Sequence, residues 1–311
     1  MENCSSFSKP LVIPVTTISV NLILENENPV SAFHGATFRG GFGYTLRSLV
    51  CVTGKKTCEN CLFLESCAYS FLFETPPPPN SVRMAKYRAV PHPFAMVASQ
   101  EKSSLKVDLK LFGEAYRYIP HFIYTLNKLG TKGIGKNRTK FTVKDALWDG
   151  KVIYSEKSTS VEPGITPLRV TVIPGEPKQG KIRLRFVTPL TIKKDGKELL
   201  RFDKKAFFTS LLRRITNLNA FYGVDKSINI DPMIYLKPVE GLTVQDSMRV
   251  ENRTRFSTRQ KKKLDYSGLT GEVTIEGETG TLFPLLRAGE ITGVGKNTVF
   301  GSGVYEMEVQ G

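Results

Sequence analysis

An α+β fold built from two similar halves is what the sequence predicts, and three observations carry that reading. Strand-like alternation and helix-like periodicity follow one another twice in the same order. A five-residue string, G-[IV]-G-K-N, stands at 133–137 and returns at 293–297, 160 residues on. Between the halves, "SEKSTSVEPG" and "PGEPKQG" are polar and rich in Pro and Gly, which is the composition of a boundary near residues 156–180. Two tandem ferredoxin-like β-α-β-β-α-β domains account for the offset economically. The expected domains are 1–165, with a cysteine-rich insertion at 51–67, and 166–311, with a glycine-rich loop at 293–303. The alternative is one large α+β domain with a coincidental five-residue match.

The elements follow in order. "LVIPVTTISVNLIL" (11–24) is β-branched and partly alternating, so it reads as a strand. In "GATFRGGFGYTLRSLVC" (35–51), Phe38, Phe42, Leu46 and Leu49 recur at helical spacing. The cysteine insertion and "TPPPPNS" (75–81) come next, and the latter must be loop because Pro breaks helix and ladder alike. "SLKVDLKLFG" (104–113) alternates as a strand, "EAYRYIPHFIYTLNKLG" (114–130) reads as a helix, and "TKGIGKNRTKFTV" leads into another strand. The second half opens on a strand at 181–190 and a helix at 202–223 that closes on Gly223, a candidate C-cap. A strand at 268–278, a short helix at 281–290 and a last strand at 303–309 complete it.

Composition narrows the function. Of 311 residues 40% are hydrophobic, which fits a globular chain, and 44 Lys and Arg against 29 Asp and Glu give a net charge of +15. Such an excess favours a polyanionic partner. No run approaches the roughly 20 apolar residues of a membrane span, and the amino terminus has no secretory pattern, so a cytoplasmic protein without membrane attachment is expected.

The glycine string next to Lys first suggests a nucleotide phosphate loop. Gly130, Gly135 and Lys136 satisfy G-x-x-x-x-G-K, but Asn137 stands where Ser or Thr should hold Mg²⁺, and the loop runs from helix to strand, the reverse of a P-loop. In the second copy Glu290 takes the first Gly position. What remains is a backbone surface at Gly293, Gly295, Gly301 and Gly303, flanked by Lys296 and Asn297, on which phosphodiester can lie, or else a tight helix-to-strand turn. Lys136 is the matching cation of the first loop. Upstream, Arg249, Arg253, Arg255, Arg259, Lys261, Lys262 and Lys263 crowd one segment with Phe256 and Tyr266 interleaved, against only Glu251 and Asp265. Arginine forks and aromatic faces suit phosphate and unpaired bases, so RNA is the expected ligand, and a solvated charged hairpin is the alternative.

Four of the five cysteines, Cys51, Cys58, Cys61 and Cys67, are spaced C-x6-C-x2-C-x5-C. Four thiolates can close a tetrahedral structural Zn²⁺ site; an Fe–S cluster uses the same number, and reduced or paired thiols are the plain alternative. The histidines stand at 34, 92 and 121. His92, between two prolines, reads as structural, and His121 as a packed residue of an apolar helix.

The stretches "NRTRFSTRQKKKLDYSGLTGEV" and "LFPLLRAGEITGVGKNTVFGSGVYEME" resemble the carboxy-terminal region of the CRISPR-associated RAMP endoribonucleases, the Cas-six family that matures precursor CRISPR RNA. The loop matches that family's G-h-G-x5-G-h-G pattern at each glycine, and "FHGATFRGGFGYTLRSLVC" with the cysteines resembles its cysteine-containing branch. The resemblance is strongest over 250–309 and weakest between 80 and 180. It implies tandem ferredoxin-like domains, CRISPR repeat RNA or the precursor transcript as partner, and cleavage without a catalytic metal. The ribose 2′-OH attacks the scissile phosphate and leaves a 2′,3′-cyclic phosphate and a 5′-OH. It also implies a catalytic role for His34, just ahead of the first helix, with Arg39 and Tyr44 holding the phosphorane or the 2′-OH; a capping residue is the other reading of His34. A non-catalytic RAMP RNA-binding subunit of a CRISPR effector complex is the alternative function.

Overall fold

The structure, a computed structural model, describes residues 9–26, 34–101, 103–135, 137–158, 160–257, 262–265 and 267–310. The chain forms two compact units. One comprises Pro14–Leu168 with Val299–Gly301; the other comprises Arg169–Thr298 and Ser302–Gly311 with the amino-terminal residues through Ile13. The expected boundary fell at 165/166. The units change over at Leu168, and each takes a short segment from the other end of the chain.

In the first unit the order is β1 (Leu11–Leu24), α1 (His34–Val50), β2 (Phe94–Glu101), β3 (Ser104–Phe112), α2 (Ile119–Lys132), β4 (Phe141–Trp148) and β5 (Lys151–Ser155). The sheet runs β2-β3-β1-β4-β5, with β6 (Leu168–Val172) also pairing β1. β1 is antiparallel to β3 and to β4, with Ile18 opposite Leu109 and opposite Trp148. This is the ferredoxin-like order. Ile18, Val20, Leu22 and Leu24 alternate onto the buried face. On the opposite face Ser19 bonds Asp108 and Asn21 bonds Asp145, each at 2.6 Å. Polar atoms thus take the wet side of the pleat.

Phe38, Phe42 and Leu46 of α1 are fully buried, as their spacing predicts, and Phe42 stacks on Phe122 of α2 with centroids 4.7 Å apart. Leu49, the fourth of that series, is instead 38% exposed, while its neighbour Val50 packs against the core. The predicted helix 114–130 begins as a 3₁₀ turn over Gly113–Tyr118, and only from Ile119, with Pro120 in its first turn, is it α-helical.

The second unit repeats the plan with β7 (Gln179–Leu190), the two-residue pair β8 (Lys193–Lys194) and β9 (Lys197–Glu198), α3 (Lys204–Tyr222) and α4 (Met233–Glu240). Then come β10 (Thr243–Asp246), β11 (Arg249–Glu251), β12 (Thr254–Ser257), β13 (Lys262–Asp265), β14 (Gly268–Glu278), α5 (Phe283–Thr292) and β15 (Tyr305–Gln310). Its sheet runs β10-β14-β7-β15 with β11 on β14. Strand for strand this is the order of the first sheet, so the chain is a tandem of ferredoxin-like domains. The hairpin β12–β13 is added to that plan, as are the pair β8–β9 and helix α4.

Gly223 closes α3 as expected, its N–H bonding Asn219 O at 2.8 Å, but with φ −72°. Glycine is needed there for space: a Cβ would meet Asn219 Oδ1 at 2.4 Å. Among the described residues no helix is long and apolar enough to cross a membrane.

Candidate functional site

Both copies of the glycine string begin at the residue that ends a helix. Gly133 caps α2 at φ 73° and ψ 157°, and Gly293 caps α5 at φ 70° and ψ 167°. Two residues later Gly135 and Gly295 are again at positive φ, 72° and 87°. The shared string therefore encodes one shared turn, helix to strand, which is the order that excludes a P-loop.

The second loop is packed against its own protein more than it is laid open. Gly293, Gly301 and Gly303 are buried. A Cβ on Gly303 would stand 1.8 Å from Val294 O, one on Gly295 2.4 Å from Thr191 O, and one on Gly301 2.7 Å from Met96 O. The bare backbone surface expected for RNA is thus filled at these positions by neighbouring backbone. Lys296 and Asn297 are what the loop turns outward: Lys296 is exposed, its N–H bonds Thr191 O at 2.8 Å, and its ammonium lies 3.5 Å from Glu198. Asn297 takes φ 61°, a left-handed position that Asn tolerates.

Val299–Gly301 belong to the first unit, where they meet the start of α1. A Cβ on Gly35 would stand 2.0 Å from Phe300 O, so glycine there is what lets the loop reach the helix. The Arg39 guanidinium lies over Phe300 at 5.6 Å and over Phe73 at 4.8 Å. Its Nη2 stands 2.8 Å from His92 Nε2; since guanidinium can only donate, the imidazole accepts. His92 also stacks on Phe94, with centroids 5.8 Å apart. The reading of His92 as structural is sharpened: it fixes the predicted site residue Arg39, a partner 53 positions away that no local pattern announces.

Helix α1 begins at His34, whose side chain lies outside the described part, as do those of Arg255 and Lys262. Lys136, Arg259 and Lys261 lie outside the described residues altogether. Tyr44 is 76% exposed. It sits five positions after Arg39, about 140° round the helix and about 7.5 Å along it, so the two leave α1 on different faces. Arg39 and Tyr44 are therefore not brought together, and Arg39 is committed to holding the loop.

In the basic segment β12 pairs with β13, Arg255 opposite Leu264 and Ser257 opposite Lys262. Arg253 is tied to Glu251 at 2.5 Å. The outward face of the second sheet carries further cations, but in cross-strand pairs: Lys181 with Glu276 and Arg183 with Glu308, each at 3.6 Å, and Arg185 with Glu306. Their charges are matched locally.

Cys51, Cys58, Cys61 and Cys67 are free, half-buried, and line one cavity of about 640 Å³. As the side chains stand, no three His, Cys, Asp or Glu among the described residues are gathered as ligands of one ion. His121 lines the same cavity on the exposed side of α2, which corrects its reading as a packed core residue. Burial against that wall holds its imidazole below the usual histidine range.

Comparisons with known proteins follow the two domains. Residues 13–165 match a family of amino-terminal domains designated AF_1859_N, and residues 184–305 match the CRISPR-associated endoribonuclease Cas6 family. An uncharacterized protein of Archaeoglobus fulgidus is 27% identical over 293 residues, covering 88% of this chain and 91% of that one. A Cas6 product complex superposes with TM-score 0.56 at 16% identity, over 94% of this chain and 100% of the other. Thermus thermophilus Cas6 does so with 0.52 at 14%, over 95% and 99%. At these identities the superpositions speak for the fold, tandem ferredoxin-like domains. The domain that holds the basic hairpin and the glycine loop is the part of the chain that matches the CRISPR-associated endoribonuclease Cas6 family.

Proposed function

We propose that this RNA-cleaving enzyme binds the repeat of a precursor CRISPR RNA and cuts it once by transesterification. The observation that carries the reading is that the Cas6 match, 184–305, encloses both the hairpin segment in whose sequence the basic residues crowd and the loop that reaches α1. In the reaction the 2′-OH upstream of the scissile bond loses its proton and O2′ bonds to phosphorus. The P–O5′ bond breaks, and the leaving O5′ takes up a proton. The nucleophile is already part of the substrate, so the chain must orient it, move two protons and offset charge on the phosphorane; no metal is required for those tasks.

His34 is the proposed proton carrier, at the first residue of α1, and its imidazole type titrates near neutrality. Arg39 positions that helix end against Phe300, and Tyr44 and Lys296 offer outward polar groups to RNA. The test is incubation of purified protein with repeat RNA in EDTA, beside RNA carrying a single 2′-deoxy at the cut. The expected outcome is one cut, a 2′,3′-cyclic phosphate on the upstream product, and no cut in the deoxy substrate. Cleavage of the deoxy substrate would refute the mechanism. Salt-sensitive binding without any cleavage would instead make the chain an RNA-binding subunit.

A further inference from the structure

We infer that the loop of residues 75–90, between α1 and β2, is a further RNA-contact surface, on which Lys86 and Arg88 hold phosphates of a single strand and Tyr87 stacks on an unpaired base. The inference rests on the RNA reading above and extends it to a segment outside the Cas6 match.

Charge is the first observation. Residues 75–100 contain Arg83, Lys86 and Arg88 and no Asp or Glu, and α1 over 34–50 is equally free of acid. Among the described residues the ion pairs of this unit join Lys106 to Asp108 and Arg117 to Glu114, so none involves the loop. Lys86, Tyr87 and Arg88 are consecutive and exposed, Tyr87 to 64%. A ring left in water between two cations offers one strand both a stacking face and phosphate contacts.

Shape is the second. Val90 N–H bonds Thr75 O at 2.9 Å and closes the two ends, as in an Ω-loop. The Thr75 hydroxyl ties that end back to Phe71 O at 2.8 Å. Pro76 to Pro79 fix φ along the outgoing limb, and the Ser81 hydroxyl bonds Arg83 O at 2.7 Å. Met84 takes φ 56°, a conformation uncommon for such a side chain, and Tyr87 N–H closes the next turn on Met84 O at 2.8 Å. The backbone under the three exposed side chains is thus already ordered, and binding has less left to impose.

Position is the third. Phe73 precedes the loop and His92 follows it, and both meet Arg39: the guanidinium lies 4.8 Å over the Phe73 ring and bonds His92 Nε2 at 2.8 Å. The loop therefore stands on the helix that begins at His34. An anionic membrane is the poorer fit, since such attachment draws on a cluster of about four to eight cations.

The experiment is equilibrium binding of the full chain to repeat RNA carrying the single 2′-deoxy at the cut, titrated across salt so that no turnover intervenes. Tyr87→Ala should weaken binding by roughly 5- to 100-fold, while Tyr87→Phe, which keeps the ring, stays within about twofold. Lys86→Gln/Arg88→Gln should lower the slope of log binding constant against log salt by about 1.4, two cations at about 0.7 each. Lys151→Gln/Lys157→Gln, the same charge change at exposed positions at the other end of this unit's chain, should leave the slope as it is. All the substituted side chains are exposed, so each variant should keep the wild-type thermal midpoint. An equal loss in the Lys151/Lys157 pair overturns the inference, because net charge alone would then explain it. So does wild-type affinity in the loop variants, whether or not they lose binding to anionic phospholipid vesicles. If the wild type cuts the all-ribose repeat while the loop variants bind as it does, only this inference falls; if the wild type binds no RNA, the proposed function falls with it.

Discussion

Replacing Arg39 by Ala removes a charge-assisted hydrogen bond to His92 and the cation lying over Phe73 and Phe300. The expected loss is roughly 1–3 kcal/mol, read as a lower thermal midpoint, with Lys at the same position unable to restore it because it lacks the planar fork. His34→Ala should behave in the opposite way. If His34 carries a proton, cleavage slows by about 10²–10⁴ while RNA affinity stays within about twofold; an unchanged rate under single-turnover conditions would dismiss it. Gly303→Ala tests the loop. A Cβ there meets Val294 O at 1.8 Å on a residue at φ 70°, so a cost above about 2 kcal/mol is expected by chemical denaturation. At this scale the sequence showed which residues to examine and not what they do. The glycines were visible as a pattern, yet only the fold shows that Thr191, Met96 and Val294 occupy the space their missing side chains leave. Arg39 was a candidate for the phosphorane, and its partner His92 is too distant in sequence to be foreseen.

Elements were legible where burial follows a period. Phe38, Phe42 and Leu46 mark α1, and β1 and β14 carry their own alternation. The edge strands were not legible, for a physical reason. β10 is four largely exposed residues, so it has no hydrophobic face to announce it and exists by pairing Thr243–Asp246 with β14. In β2 Phe94, Ala95 and Met96 are buried consecutively, which breaks the two-residue period. Helix α3, by contrast, declares its start. Asp203 accepts from Ala206 N–H at 2.8 Å, and that bond and the Lys194 ammonium hold its carboxyl below the usual range. A depressed folded pKa stabilises above the unfolded value, about 3.9, and the benefit is lost as pH falls through the folded value. Asp203→Ala should therefore cost about 1 kcal/mol near neutrality and progressively less in acid, measured by urea melts across pH. For the hairpin, Arg255→Ala should reduce the slope of log binding constant against log salt by about 0.7 on single-stranded repeat RNA. Arg253→Ala should reduce it less, since Glu251 already pairs that guanidinium.

At the scale of the molecule, the duplication was legible because one turn was written twice, but the exchange of segments was not. Leu11 and Ile13 are fully buried, and Val12 bonds the Asn219 side chain at 3.2 Å and Val224 N–H at 2.9 Å, all within the unit formed mainly by Arg169–Thr298. In return, Val299–Gly301 complete the unit formed mainly by Pro14–Leu168. Neither half is then whole when cut at the polar boundary. A fragment of residues 165–311 lacks two buried side chains worth roughly 1.5–3 kcal/mol each and leaves the buried Asn219 amide short of a partner. A fragment of residues 1–164 lacks the ring that covers Arg39. Expressed singly, each should give no cooperative melt, and expressed together they should copurify one to one and regain it. A 165–311 fragment that melts alone at the temperature of the intact chain would show that the exchanged strand end is dispensable. If the halves do depend on each other, a cut in the Pro/Gly-rich stretch should leave repeat cleavage intact in the reassembled pair. Loss of cleavage there, with the melt restored, would place an essential role on the covalent link itself.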